Sequence, residues 1–352
     1  MKKIVISLLL AVGVLGAFGF SDISSGIKEV ATSTKSMFND DSNTSTTRVD
    51  TECTNPMDNY KNNYREALKI AGVYCASNSS SFMNLISSEN SNTKENSKAL
   101  KLLTKEIAKK TVWLPIEIEK KYGEQIYKSR LKNEDVVLRS TKNRKYKKMY
   151  KKLDLFVKKY NTYLEKNDYL KNNSYPFKIK IFILSSKNRV EAIPGGYIFI
   201  SEDFIKGKRY RTVLAHELTH ISKRHLTKDL QYRLINGYDN IADIIKLIKK
   251  LNEPNVKQKD IVFSSLVSAN LIYEHFEKHT QDQELEADAC SLKILTSINQ
   301  KRKKKYVQEL IKNIDITMQD EQDANEMAIF TFQEHPNKKV RINNIKNLSQ
   351  KL

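Results

Sequence analysis

The sequence predicts an α+β domain, mainly helical, with a small β-sheet placed just before one decisive helix. Three observations carry that expectation. Apolar residues recur at helical spacing from Leu102 to Tyr160, through Leu103, Ile107, Ile116, Ile118, Tyr122, Ile126, Met149, Leu153 and Phe156. The period then changes. Phe177 to Leu184 starts as apolar/polar alternation and ends fully apolar, and two short strand-like runs, Val190 to Ile193 and Tyr197 to Ile200, flank the turn Pro194-Gly195-Gly196. Helical signals resume near Asp203 and continue to the C-terminus. No internal repeat interrupts this order.

Composition narrows the class. The 352 residues include 61 Lys+Arg against 41 Asp+Glu, a net charge of +20. Seventeen Tyr and 13 Phe supply enough core material to exclude wholesale disorder. Three cysteines exclude a disulfide-stapled mini-fold and the multi-cysteine zinc ribbons. Only one apolar run is long enough to matter for a membrane, which excludes a polytopic protein.

That run is at the start. Lys2 and Lys3 precede a charge-free apolar stretch from Ile4 to Phe20, and Ala17-Phe18-Gly19 offers the small-x-small pattern of a cleavage site. Residues 1–19 read as a signal peptide, with an uncleaved N-terminal anchor as the alternative. No cysteine lies near residue 20, so a lipid-modified cysteine is excluded there. Residues 20–98 form a polar N-terminal region: 31–57 read as a linker or tail, and a short helix is expected around Tyr60 to Tyr74. Residues 99–352 form the main domain. In an oxidising compartment Cys53 and Cys75 could close one loop, whereas Cys290, in a helical stretch, reads as a small buried hydrophobe.

The chemistry concentrates in Val213-Leu214-Ala215-His216-Glu217-Leu218-Thr219-His220. On a helix, positions four apart lie about 40° from each other, so His216 and His220 can reach one metal ion. Neutral imidazole suits Zn²⁺, and Glu217, beside that face, can act as base toward a water the metal activates. Three candidates compete for the third ligand. His225 does not fit the longer metzincin pattern, because Lys223 stands where glycine is required, and on a continuing helix it would point away from His216. His275 and His279 form a pair without an acidic base and read as a solvated face. Glu284 lies in Gln281-Asp282-Gln283-Glu284-Leu285-Glu286-Ala287-Asp288, where Glu284 and Asp288 share a face and Glu286 points elsewhere. A His₂Glu zinc site with Glu284 as ligand and Asp288 fixing a ligand imidazole is favoured.

These paired motifs closely resemble metallopeptidase family 48, the group that includes HtpX, BepA and the CaaX-prenyl proteases. Leu114-Pro115-Ile116-Glu117-Ile118-Glu119-Lys120-Lys121-Tyr122-Gly123 resembles the Glu-x-x-x-Gly helix of its exported, soluble members. Ala192-Ile193-Pro194-Gly195-Gly196-Tyr197-Ile198 resembles their hairpin, and His335-Pro336 with Arg341 their C-terminal element. The resemblance spans about residues 114–348. It implies a zincin-like (gluzincin) metalloprotease domain binding one Zn²⁺ per chain through His216, His220 and Glu284, with Glu217 as general base. It further implies that Asp288 orients a ligand histidine, that His335 stabilises the oxyanion or contacts the metal, and that Arg341 supports the loop carrying it. Substrate would lie along an edge strand at Tyr197, Ile198 and Phe199. One departure stands out: Arg189-Val190-Glu191-Ala192 replaces the usual Asn-Ala-Phe before the hairpin.

The reading is therefore an exported zinc endopeptidase of the periplasm or cell envelope, acting on protein or peptide substrates in quality control of misfolded or membrane-associated proteins. The alternative is a zinc-containing chaperone-like or binding protein with a latent or structural site. Basic runs at Lys142 to Lys152 and Gln300 to Tyr306 favour a solvated surface or contact with an anionic membrane. Lys predominates over Arg in them, which suits neither base readout nor nucleic acid as a partner.

Overall fold

The computed structural model describes residues 52–53, 55–57, 63–77, 104–105, 107–108, 111–133, 135–169, 175, 177–236, 238, 241–252, 281–325 and 338–352. Their elements, in chain order, are α1 (Asn63–Ser77), α2 (Ile116–Asn133), β1 (Val136–Val137), α3 (Arg144–Lys166), β2 (Lys180–Leu184), β3 (Val190–Ile193), β4 (Tyr197–Ser201), α4 (Glu202–Lys206), α5 (Tyr210–Ser222), α6 (His225–Asn236), α7 (Ile241–Asn252), α8 (Gln281–Ile298), a 3₁₀ turn (Gln300–Arg302), α9 (Lys303–Asn325) and α10 (Lys338–Lys351). The chain is mainly helical with one small mixed sheet, an α+β arrangement. No helix among the described residues is long and apolar enough to cross a membrane. Residues 1–19, and with them the expected signal peptide, lie outside the described residues, as do His275, His279 and His335.

The chain divides into two compact units. One comprises the described residues within 62–115 and 230–271. Within it α1, close to the short helix expected near Tyr60, packs on α7, and the buried Gln231 accepts from the backbone N–H groups of Trp113 and Leu114, each at 2.9 Å. The other unit comprises residues 48–61, 116–229 and 272–352 and carries the motif helices.

In that second unit the strand order is β1-β2-β4-β3; β2 and β4 run parallel and the other two pairs antiparallel. The resemblance placed substrate on Tyr197, Ile198 and Phe199 as an edge strand, and the topology corrects this. Those residues lie in β4, hydrogen-bonded to β2 on one side and β3 on the other, and every residue of β4 is buried. A strand with both edges paired has no N–H or C=O row to offer a peptide. The wholly apolar Tyr197-Ile198-Phe199-Ile200 fits that interior position, because a strand covered on both faces reads as a continuous apolar run. β3 ends the sheet instead, and it packs beside α5.

Two close approaches set the hairpin. Gly196 has φ +84°, and a Cβ there would meet the Phe177 ring at 2.5 Å. A Cβ on Gly123 in α2 would lie 1.8 Å from the Pro194 carbonyl oxygen, so the helix backbone rests directly on the hairpin turn. Four residues earlier on the same helix, Glu119 reaches Arg224 just past the end of α5, with its Oε2 3.1 Å from Nε and 2.6 Å from a terminal nitrogen. Both side chains of this pair are buried. The Glu-x-x-x-Gly element thus clamps the hairpin and the end of the motif helix together.

α3 shows why a Lys-rich segment folds as it does. Asn143 caps its start by accepting from the Lys145 N–H at 3.0 Å, and Met149, Leu153, Phe156, Tyr160 and Leu164 bury one stripe. That stripe meets Ile181, Ile183, Ile198 and Ile200 of the sheet and Val213, Leu214 and Leu218 of α5 in one core. α8 runs through the middle of this unit, packing on α5, α3, α9 and α10.

The cysteine expectation is corrected. Cys53 is bonded to Cys290, not to Cys75, so Cys290 is no free buried thiol. The stretch around Cys53 to Met57, expected as linker, is held against the helices. The Ser222 hydroxyl donates to the Pro56 carbonyl at 2.7 Å, the Lys223 ammonium to Asn55 O at 3.1 Å and the Lys293 ammonium to Cys53 O at 2.8 Å. Its polar composition hid an anchoring role in which Cys53, Pro56 and Met57 are buried.

Candidate metal centre

α5 and α8 lie against each other, and each presents one helix face to the same small space. From α5 come His216 and His220, one turn apart, with their Nε2 atoms 3.0 Å from each other. From α8 comes Glu284, with one carboxylate oxygen 3.3 Å from His216 Nε2 and the other 3.4 Å from His220 Nε2. Four-coordinate zinc, with bonds of about 2.0–2.2 Å, holds neighbouring donors ~3.4 Å apart. The donor spacing fits such an ion, and the three residues form the only potential metal-binding cluster of His, Cys, Asp and Glu side chains among the described residues.

The electrostatics agree with the spacing. Burial disfavours a charge on His216, but the Glu284 carboxylate and its hydrogen-bonded partner Asp288 outweigh that and raise the pKa to about 10. Burial likewise opposes charge on Glu284, yet Arg341 and then His216 hold it well below the usual carboxylate range. Asp288 is lowered for the same reasons, burial opposing and Arg341 prevailing.

Each expected residue can now be placed. Asp288 accepts from His216, Oδ1 to Nδ1 at 3.0 Å, which holds a proton on Nδ1 and makes Nε2, turned to the cluster, the nitrogen that a metal would take in exchange for a proton. Arg341 of α10 makes a two-point contact with Asp288, at 2.8 and 2.9 Å, and reaches Glu284 Oε2 at 2.6 Å. It therefore braces two carboxylates of the centre directly, while the loop of His335, which the resemblance has it support, lies outside the described residues. Glu217 is buried on α5, about 100° around the helix from His216.

On sequence alone His225 takes a packing or hydrogen-bonding role with no partner named, and Glu286 takes no role at all. α5 does not continue through His225. It ends at Ser222, Arg224 with its φ of 52° turns the chain, and His225 opens α6 with its Nδ1 3.0 Å from Nδ1 of His220. It stands behind a candidate ligand, in a hydrogen-bonding role. Its Nε2 lies 2.9 Å from Glu286, the residue expected to point elsewhere, and Glu286 also pairs with Lys223 at 2.9 Å. Neither Gly nor Pro marks the break, and no local sequence signal could have found this contact.

A half-buried and a buried histidine on one helix and a carboxylate from a second helix form a donor set that could hold a metal ion, and a His₂Glu set is one that catalytic zinc sites use. The comparisons give the particular family: the model of peptidase family M48 matches residues 169–349, just over half of the chain, and the protein belongs to that family of metallopeptidases. No curated protein and no solved structure matches the chain.

Proposed function

We propose that the chain is a zinc-dependent endopeptidase with a zincin-like (gluzincin) catalytic domain, in which His216, His220 and Glu284 hold one Zn²⁺. The convergence of those three donors carries the reading. Zinc, if held there, would supply a Lewis acid for the scissile carbonyl and would lower the pKa of a water molecule toward 7. Glu217 takes one proton from that water as its oxygen attacks the carbonyl carbon, then delivers it to the amine as the C–N bond breaks. Asp288 holds His216 in the tautomer that leaves Nε2 able to bind metal, and Arg341 keeps the buried carboxylates charged. An extended substrate would add to β3, the strand that ends the sheet beside α5. His335 lies outside the described residues, and the role proposed for it is the one that the resemblance implies, to stabilise the oxyanion or to contact the metal.

Purified protein should cleave casein, lose that activity in a zinc chelator and regain it on return of Zn²⁺. Zinc bound without any cleavage would favour the chaperone-like alternative, with a latent or structural site.

Export remains part of the proposal, with residues 1–19 as signal peptide and the periplasm or cell envelope as destination. The Cys53–Cys290 disulfide supports an oxidising location. Contact with an anionic membrane has its own support in α3. Lys147, Lys148, Lys151, Lys152, Lys158 and Lys159 are exposed, and at 100° per residue they fall in an arc of about 140° centred near Leu155. Leu155 is 54% exposed. A lysine arc around a projecting leucine suits a bilayer of acidic lipids. The protein should float with vesicles containing phosphatidylglycerol at low salt and release at high salt; equal recovery on purely zwitterionic vesicles would reject the idea.

A further inference from the structure

The two candidate histidine ligands are not held alike. His216 has Asp288, a carboxylate, directly against its Nδ1. His220 has another imidazole there, His225, at 3.0 Å. Two imidazole nitrogens can share a hydrogen bond only if one donates and the other accepts, so something must decide which. The far side of His225 supplies the decision. Its Nε2 lies 2.9 Å from Glu286 Oε2, while Oε1 of the same carboxylate is 2.9 Å from the Lys223 ammonium. An ionised carboxylate only accepts, so His225 carries its proton on Nε2 and offers the Nδ1 lone pair. His220 must then donate from Nδ1, which makes Nε2, facing Glu284 at 3.4 Å and His216 at 3.0 Å, the nitrogen available to a metal.

We propose that Glu286, acting through His225, is a positioning residue that fixes His220 in its metal-binding tautomer and aim. This rests on the zinc reading above. His225 and His220 are almost fully enclosed, with side chains 1% exposed, so water cannot set the tautomer in their place. Glu286 sits at the rim, 29% exposed, where Lys223 holds it and is itself tied to the Asn55 carbonyl at 3.1 Å. The relay therefore runs from the disulfide-anchored stretch near Cys53, through Lys223, Glu286 and His225, to His220.

The decisive variant is Glu286→Gln, which keeps size and shape but can donate as well as accept. An amide donating to His225 Nε2 reverses the chain and places the proton on His220 Nε2, where it blocks the metal. Zinc affinity of the metal-stripped full-length protein, measured by competition with a chromophoric chelator, should fall about 10- to 100-fold in the variant. The visible spectrum of the Co²⁺-loaded protein should change with it, and the melting temperature without metal should stay close to that of the wild type. A plain surface ion pair would give the opposite pattern, a lowered metal-free melting temperature with unchanged zinc affinity, and that result would overturn the relay. Glu286→Ala, which has no group to donate, gives a second reading: affinity equal to wild type in both variants sinks the proposal whatever their stability. If the wild type itself takes up no zinc, the metal reading fails and the relay with it; if only the variants match the wild type, the relay alone fails.

Discussion

Glu217→Gln should yield a folded protein that binds zinc as the wild type does and cleaves casein about 10³-fold more slowly. The reasoning is local. Glu217 sits one residue from His216 on α5, so its side chain is directed about 100° away from the His216/His220 stripe and is not needed to complete the donor set. Removing the carboxylate removes the base that moves a proton from water to the leaving amine, a contribution of about 10²–10⁴-fold. Because Gln has nearly the same shape, the buried position should tolerate it. Measuring kcat/KM beside zinc content separates the outcomes. Near wild-type turnover would remove Glu217 from the mechanism, and loss of zinc together with activity would instead place it among the groups that hold the metal.

The second large effect is on stability. Glu119→Ala should destabilise the site-bearing unit by roughly 3–5 kcal/mol, because it strips a carboxylate from a buried guanidinium. Arg224 also has φ 52°, a left-handed conformation that costs a non-glycine residue about 1–2 kcal/mol and that the ion pair helps to sustain. The residue after Arg224 is His225, which contacts His220, so loss of the pair should also loosen the metal centre. Urea denaturation of metal-free protein measures the first effect directly, with Glu119→Gln losing less because its amide oxygen still accepts. A loss below about 1 kcal/mol for Glu119→Ala would mean that the pair does not organise this end of α5.

What the sequence made legible was whatever depends on short-range periodicity. His216 and His220 share a face because 3.6 residues make a turn, and the same rule pairs Glu284 with Asp288. The buried stripe of α3 and the hairpin around Pro194-Gly195-Gly196 follow from equally local patterns. What stayed hidden depends on long-range packing. The partner of Cys53 lies 237 positions away, so nearness in sequence pointed to the wrong cysteine. The relay through His225 needed a helix break that arginine, not glycine or proline, provides. The interior place of β4 is a matter of topology, although its unbroken apolar run was a clue that outweighed the analogy with an edge strand. Phe177 to Ile179 alternate like a strand, yet β2 begins only at Lys180, while the two-residue β1 was too short to leave any period.

The central claim is that two imidazoles of α5 and one carboxylate of α8 hold a single zinc ion. The most direct measurement is elemental analysis of purified wild-type protein beside Glu284→Ala. The account predicts close to one zinc per chain in the wild type and a small fraction of that in the variant, with both chains folded by circular dichroism. Equal zinc in the two proteins, or none in a wild type supplied with zinc, would contradict it.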